Sequence, residues 1–202
     1  MVLSETDWLL QKMCGQQILR SNDLPTALLP GSFNPLHQGH LLLAQVASGI
    51  LKQPVAFELS IANVDKAELD RIAIDSRLSQ FIGQAPIYLT RAATFTMKAR
   101  LFPGCVMIVG FDTAARIINP AYYHNSSAAC LAALDFIQQQ GCRFLVAGRV
   151  DNRHKFCSIQ DLAIPFTCRD LFEPIDESAF RSDLSSSAIR DQWALQRERG
   201  VS

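Results

Sequence analysis

Apolar positions along the chain fall into two kinds of pattern: short runs of consecutive apolar residues, and longer stretches with helical spacing between them. Thr26-Ala27-Leu28-Leu29, Val55 to Ile61, Pro86 to Leu89, Val106-Met107-Ile108-Val109 and Arg143 to Ala147 read as short buried strands, with Val106 to Val109 the clearest central one. Gly39 to Leu51 carries a helix-forming pattern, and residues 67–83 put Leu69, Ile72, Ile74, Leu78, Phe81 and Ile82 at helical positions. Residues 128–140 read as a helix stopped by Gly141. This alternation predicts an α/β fold, doubly wound, with a mostly parallel sheet and helices on both faces. Upstream, Trp8, Leu9, Leu10, Met13, Ile18 and Leu19 recur at roughly helical spacing and end near Ser21-Asn22-Asp23 and Pro25, which predicts a helix over 1–23 that either pads the sheet edge or is the remnant of a junction to another domain. The expected division is a helical extension over 1–24 and an α/β domain over 25–202.

Candidate chemistry clusters where predicted strands end. After the first strand, Gly31 and Pro35 punctuate a loop, and His37 and His40 stand three apart at the start of a helix. The first turn of a helix exposes unpaired N–H groups and the positive end of the macrodipole, so it favours bound phosphate, and two ring N–H donors could meet one phosphate there. Asn63, Asp65 and Lys66 follow the second strand, where doubly wound folds place ligands, or they form a solvated turn. Asp112 follows the central strand and can accept from two ribose hydroxyls or cap the next helix. Arg149, after the strand at 143–147, is a candidate phosphate or base contact. Far downstream, Ser185 or Ser186 can cap a helix, Ser187 can offer a hydroxyl in its first turn, and Arg190 lies about one turn inside, forming a second phosphate cradle.

The stretch Gly31-Ser32-Phe33-Asn34-Pro35-Leu36-His37-Gln38-Gly39-His40 resembles the HxGH signature of the nucleotidylyltransferase superfamily. That superfamily includes the nicotinamide and nicotinate mononucleotide adenylyltransferases, pantetheine-phosphate adenylyltransferase and the cytidylyltransferases. The longer form, with Gly-Ser-Phe-Asn-Pro before the first His, is similar to the mononucleotide adenylyltransferase branch. Leu184-Ser185-Ser186-Ser187-Ala188-Ile189-Arg190 resembles the ISSTxIR motif, Gly110-Phe111-Asp112 the Gly-x-Asp element at the nucleotide ribose, and Thr90 to Thr96 the threonine-rich loop that encloses the mononucleotide. The Phe57-to-Lys66 stretch, with Leu101-Phe102-Pro103-Gly104 and Gly110 to Pro120, is most similar to a cytidylyltransferase-like group in which this domain is sometimes joined to a CinA-like domain.

The resemblance implies a Rossmann-like fold and an enzyme that transfers a nucleotidyl group from a nucleoside triphosphate to a phosphate-bearing acceptor, releasing pyrophosphate. The first expectation is transfer of AMP from ATP to nicotinamide or nicotinate mononucleotide, a step of NAD biosynthesis. By resemblance His37, His40 and Arg190 are catalytic, His40 standing nearest the α-phosphate. Gly31, Ser32, Phe33, Asn34, Gly39, Gly110, Asp112, Ser185, Ser186 and Ser187 join Arg149 at the nucleotide, with Ser186, Ser187 and Arg190 holding the β- and γ-phosphates. Lys66, Thr94, Thr96 and Tyr122 are the acceptor contacts; Thr94 could equally cap a helix. Mg2+ is expected to bridge the triphosphate oxygens without a protein ligand set of its own. Ile117 to His124 lacks the Trp that pyridine-nucleotide adenylyltransferases commonly carry after Gly-x-Asp, and Tyr122 or Tyr123 could supply a stacking surface instead. A cytidylyltransferase acting on a phosphorylated alcohol, or a nucleotide-binding module without turnover, is the alternative. A class I tRNA synthetase fragment does not fit, since no KMSKS-like lysine loop or basic run is present.

Composition narrows the partners. With 202 residues and 49% apolar content the chain can bury one sizeable core. Its formal net charge is zero with both signs interspersed, so it carries no general field for nucleic acid or an anionic membrane, while a small anionic ligand stays compatible. There is no basic, apolar leader and no run of about 18 apolar residues, so a soluble cytoplasmic protein is expected. The six cysteines form no CxxC pair and mostly lie in or beside apolar stretches, which predicts reduced, packed thiols and neither a zinc site nor a catalytic thiol. The expected partners are small nucleotides, with a homo-oligomer or association with a CinA-like domain left open.

Overall fold

The computed structural model describes residues 11–14, 17–19, 24–62, 67–151 and 153–181. In chain order these form β1 (Gln11–Cys14), β2 (Gln17–Leu19), β3 (Ala27–Pro30), α1 (Gln38–Leu51), β4 (Ala56–Ser60), α2 (Arg71–Ser79), β5 (Ile87–Thr90), α3 (Phe95–Leu101), β6 (Val106–Gly110), α4 (Phe111–Ile117), α5 (Ser127–Gln139), β7 (Arg143–Ala147), β8 (Arg149–Val150), β9 (Phe156–Cys157) and β10 (Phe172–Ile175). The main sheet runs β10-β7-β6-β3-β4-β5-β1-β2, and β8 pairs with β9 in a separate hairpin. From β10 to β5 every pairing is parallel. Numbered by their own succession, these six parallel strands lie in the order 3-2-1-4-5-6, the arrangement of a Rossmann-like doubly wound sheet.

The strands are nearly continuous apolar runs because both faces are covered. Ala27, Leu29, Phe57, Leu59, Val106, Ile108 and Leu145 pack with Leu43, Ala44 and Ala47 of α1 and Leu78 of α2. On the opposite face Leu28, Met107, Val109, Phe144 and Val146 pack with α3, α4 and α5 through Ala99, Ala114, Ile117, Leu134 and Ile137. Cys105, Cys130, Cys142 and Cys168 are buried, and burial pushes the first three thiols up, so these are packing groups. Among the described residues no helix is long and apolar enough to cross a membrane.

Two elements depart from the sequence-based expectation. The helix predicted over 1–23 is replaced, within its described residues, by β1 and β2. β1 runs antiparallel to β5, with Met13 opposite Ile87 and Lys12 opposite Tyr88. The ladder satisfies backbone groups that an edge strand would otherwise leave open, and that pairing overrides the local helical period. The second departure is β10, a sixth parallel strand beside β7, where the sequence analysis predicts no strand.

One polar cluster sits inside the apolar layers. Glu58 and Thr90 are fully buried, and Lys98 is 5% exposed. The Lys98 ammonium reaches both Glu58 oxygens at 2.8 and 2.7 Å and the Ala92 carbonyl at 2.7 Å, while the Thr90 hydroxyl donates to the same carboxylate. Strand β4 is thereby tied to α3 and to the loop after β5. We predict that Lys98→Met, which strands a buried carboxylate, costs about 3–5 kcal/mol. Glu58→Gln combined with Lys98→Met should cost less than that single change, and urea denaturation of both variants checks the order. A double variant weaker than Lys98→Met alone would refute it.

Candidate active site

The order of the parallel strands reverses between β3 and β6, and the loops leaving their carboxyl ends part there to open a crevice. A cavity of about 400 Å³ occupies it. Pro30, Gly31, His37, Gly39 and His40 line it from the first side, Gly110, Phe111, Asp112 and Thr113 from the second, Gly148 and Arg149 from just beyond β7, and Phe180 also contributes to the lining.

The loop from Gly31 to His37 is anchored by Phe33. Its ring is fully buried and meets the rings of Phe57, Phe81 and His40 edge-on, with centroids 5.5, 5.1 and 5.2 Å away. Phe33 has a positive φ of 44°, which turns the loop back over its own ring. Gly31 lies against that ring so closely that a Cβ there would stand 2.7 Å from it. At Gly148 a side chain would run into the Phe156 ring and the Cys157 carbonyl, so glycine lets the β8–β9 hairpin close on the cavity wall.

His37 is the N-cap of α1. The two imidazoles stack, with centroids 3.8 Å apart and planes 26° from parallel. The His37 backbone N–H donates to Nδ1 of His40 at 3.3 Å. That contact assigns Nδ1 as the acceptor and leaves the proton on Nε2. Nδ1 of His37 is buried with no hydrogen-bond partner among the described residues. Burial, helped by the neighbouring His37, pushes the His40 pKa down to about 4, and burial lowers that of His37 as well. Both rings are therefore neutral near pH 7 in the free protein.

Across the cavity Asp112 sits in the first turn of α4 and is ion-paired with Arg149. Thus Gly31, His37, Gly39, His40, Gly110, Asp112 and Arg149, chosen from the sequence, converge on one cavity. Ser32 and Asn34 are exposed on the loop and lie outside the lining. Phe33 was expected at the nucleotide, but its ring is a core anchor under the site instead of an open contact. Thr94 caps α3 by accepting from the Met97 N–H at 3.2 Å, and its hydroxyl meets that of Thr96 at 2.8 Å, away from the cavity. Tyr122 is exposed on a 3-10 turn over Pro120–Tyr123, also outside the lining. Asn63, Asp65, Lys66, Ser185, Ser186, Ser187 and Arg190 fall outside the described residues. Phe180 carried no motif that would have marked it.

A family profile described as cytidylyltransferase-like matches residues 28–192. The chain belongs to the cytidylyltransferase-like family. It is accordingly a nucleotidyltransferase, and the matched span includes every described residue that lines the cavity. Among solved structures, the chain is similar to Plasmodium falciparum nicotinic acid mononucleotide adenylyltransferase complexed with NaAD, at 13% identity, with 82% of each chain covered and a TM-score of 0.49. A search of the curated proteins finds no match.

Two outcomes follow for this cytidylyltransferase-like site. The folded pKa of His40, about 4, lies below its ordinary 6.5, so as pH falls the unfolded chain takes up the proton first. Stability is complete above pH 6.5, declines from there towards 4, and loses no more from this group below that; the His37 shift has the same sign. Thermal unfolding scanned over this window should show a shallower decline for His40→Asn than for the parent, and parallel curves would refute the coupling. Gly31→Ala should cost about 1–3 kcal/mol by overpacking against Phe33. Adding Phe33→Leu should return part of that loss in denaturant titration, and strictly additive losses would exclude the clash.

Proposed function

We propose that the protein transfers AMP from ATP to a pyridine mononucleotide, nicotinamide or nicotinate mononucleotide, with release of pyrophosphate. The observation that carries the reading is the stacked His37–His40 pair at the N-terminus of α1, with the His40 proton assigned to Nε2 by the His37 backbone. A helix terminus with two imidazoles is suited to a polyphosphate. The Gly31-to-Pro35 form of the motif is what supports a pyridine mononucleotide as acceptor.

In this reading a phosphate oxygen of the acceptor attacks the α-phosphorus of ATP. A new P–O bond forms there, the bond to the oxygen bridging the β-phosphate breaks, and its electron pair leaves with pyrophosphate. A phosphate monoester is already ionised near neutral pH, so no side chain has to take a proton, and positioning with charge stabilisation supplies the acceleration. The neutral His40 donates through Nε2–H to a non-bridging α-phosphate oxygen, where charge builds. His37, whose ring also lines the cavity, donates from a ring N–H to a neighbouring phosphate oxygen. Arriving phosphate charge favours the imidazolium forms and raises both histidine pKa values from their depressed starting points. Asp112 accepts from the ribose hydroxyls when Arg149 turns towards phosphate, and Ser186, Ser187 and Arg190 hold the outgoing pyrophosphate.

With Asp112 given to the ribose, the described lining offers no further carboxylate to a metal, so magnesium would be held by the triphosphate oxygens and water. Bound in that way, magnesium would offset phosphate charge. The family profile favours a second reading, CTP as donor with a phosphorylated alcohol as acceptor, which would use the same histidines.

The test is pyrophosphate release with magnesium and either ATP or CTP, against nicotinamide mononucleotide, nicotinate mononucleotide and phosphocholine. Turnover with ATP and a pyridine mononucleotide is expected, and His40→Ala should lower kcat by about 10²–10³-fold, the usual loss for one donor to developing negative charge. Near-parental turnover in that variant would overturn the role of His40, and turnover confined to CTP and phosphocholine would install the second reading.

A further inference from the structure

The HxGH loop is held from behind by a residue that no motif marks. Gln80, the C-cap of α2, is half-buried beneath the loop and outside the cavity. Its side-chain amide accepts from the Leu36 backbone N–H at 2.8 Å and donates to the Phe33 carbonyl at 3.1 Å, so one planar group spans both ends of the turn through Asn34 and Pro35. The same Nε2 lies 3.4 Å from the Ser76 carbonyl and 3.3 Å from the Arg77 carbonyl, which seats the amide on its own helix end. One turn earlier Arg77 donates to the Ser32 carbonyl at 3.1 Å. Helix α2 thus grips three successive parts of a loop that has no ladder of its own.

The grip leads directly to the histidines. Leu36, held by Gln80, is joined by a peptide bond to His37, whose N–H donates to His40 Nδ1 at 3.3 Å. The orientation of that peptide decides whether the N–H meets Nδ1, and with it which ring nitrogen of His40 carries the proton. An amide can donate and accept at once; a carboxylate only accepts, and a thioether does neither usefully. The role therefore requires glutamine in particular and not merely a polar residue of that length.

We propose that Gln80 is a positioning residue that sets the tautomer and aim of His40 through the Leu36–His37 peptide. This rests on the nucleotidyl-transfer reading of the site for its kinetic consequence, but not for its structural one. In Gln80→Met the turn loses both bonds at nearly unchanged side-chain volume. The His40 ring, observed by nitrogen NMR in the free protein near pH 7, should change from one dominant tautomer protonated at Nε2 to a mixture. With ATP and the accepted mononucleotide, kcat should fall by about 10–100-fold, the usual effect of losing a partner that orients a functional histidine, while KM for ATP changes much less. Gln80→Glu keeps the Leu36 bond and sets a carboxylate against the Phe33 carbonyl, so its tautomer ratio should lie between those of the parent and Gln80→Met; it also serves as the test if Gln80→Met does not fold. A folded variant of either kind with the parental tautomer ratio overturns the proposal, as does a fall in kcat matched by an equal rise in KM with the ratio unchanged. If the parent turns over no acceptor, the functional reading fails while the tautomer ratio still decides the role of Gln80.

Discussion

The ring of Phe33 is the contact on which the arrangement of the site depends. It is buried between Phe57 of β4 and Phe81 beyond α2, and its remaining edge supports the imidazole of His40. A loop of seven residues between a strand and a helix has few backbone bonds to hold it, so a buried aromatic side chain supplies the fixed point. From that point the order of construction runs outward: His40 rests on Phe33, His37 stacks on His40, and the His37 N–H selects the nitrogen of His40 that accepts. Gly31 is glycine because the ring occupies the space a Cβ would need.

The sheet places this loop where it can act. The reversal of strand order between β3 and β6 brings residues about 75 positions apart, from His37 to Asp112, to the two sides of one crevice. Arg149, the first residue of β8 just beyond β7, joins Asp112, so the described wall opposite the histidines carries an ion pair. The free cavity is consequently close to electrically balanced: two neutral imidazoles on one side and a paired carboxylate and guanidinium on the other. In the proposed nucleotidyl-transfer reading, a polyphosphate entering it meets donors that need no prior removal of a bound charge, and it recruits the guanidinium and draws protons onto the imidazoles. The buried Glu58–Lys98 pair, at the far side of β4, works on the framework instead, joining strand to helix where an apolar layer alone would leave the Ala92 carbonyl unmet.

By itself the sequence determined the parallel core and the position of the histidine loop. The apolar runs at 26–29, 55–61, 86–89, 106–109 and 143–147 read as short strands covered on both faces, and a turn-rich segment between such a strand and a helix places its functional groups at a strand's carboxyl end. Periodicity is a local property, and these features are written in consecutive residues. What the fold decided lies in contacts between distant segments. Gln11–Cys14 became a strand because β5 offered an open edge, against a local spacing that suits a helix. Phe33 could be marked as part of the loop, but whether its ring faced a ligand or the core depended on Phe57 and Phe81. Thr94 was settled as a cap of α3 by where that helix begins. Gln80, Lys98 and Phe180 carried no signal at all, since a polar residue on a helix or an aromatic in a loop acquires its role only when another part of the chain, 40 or more residues away for Gln80–Phe33 and Lys98–Glu58, is folded against it.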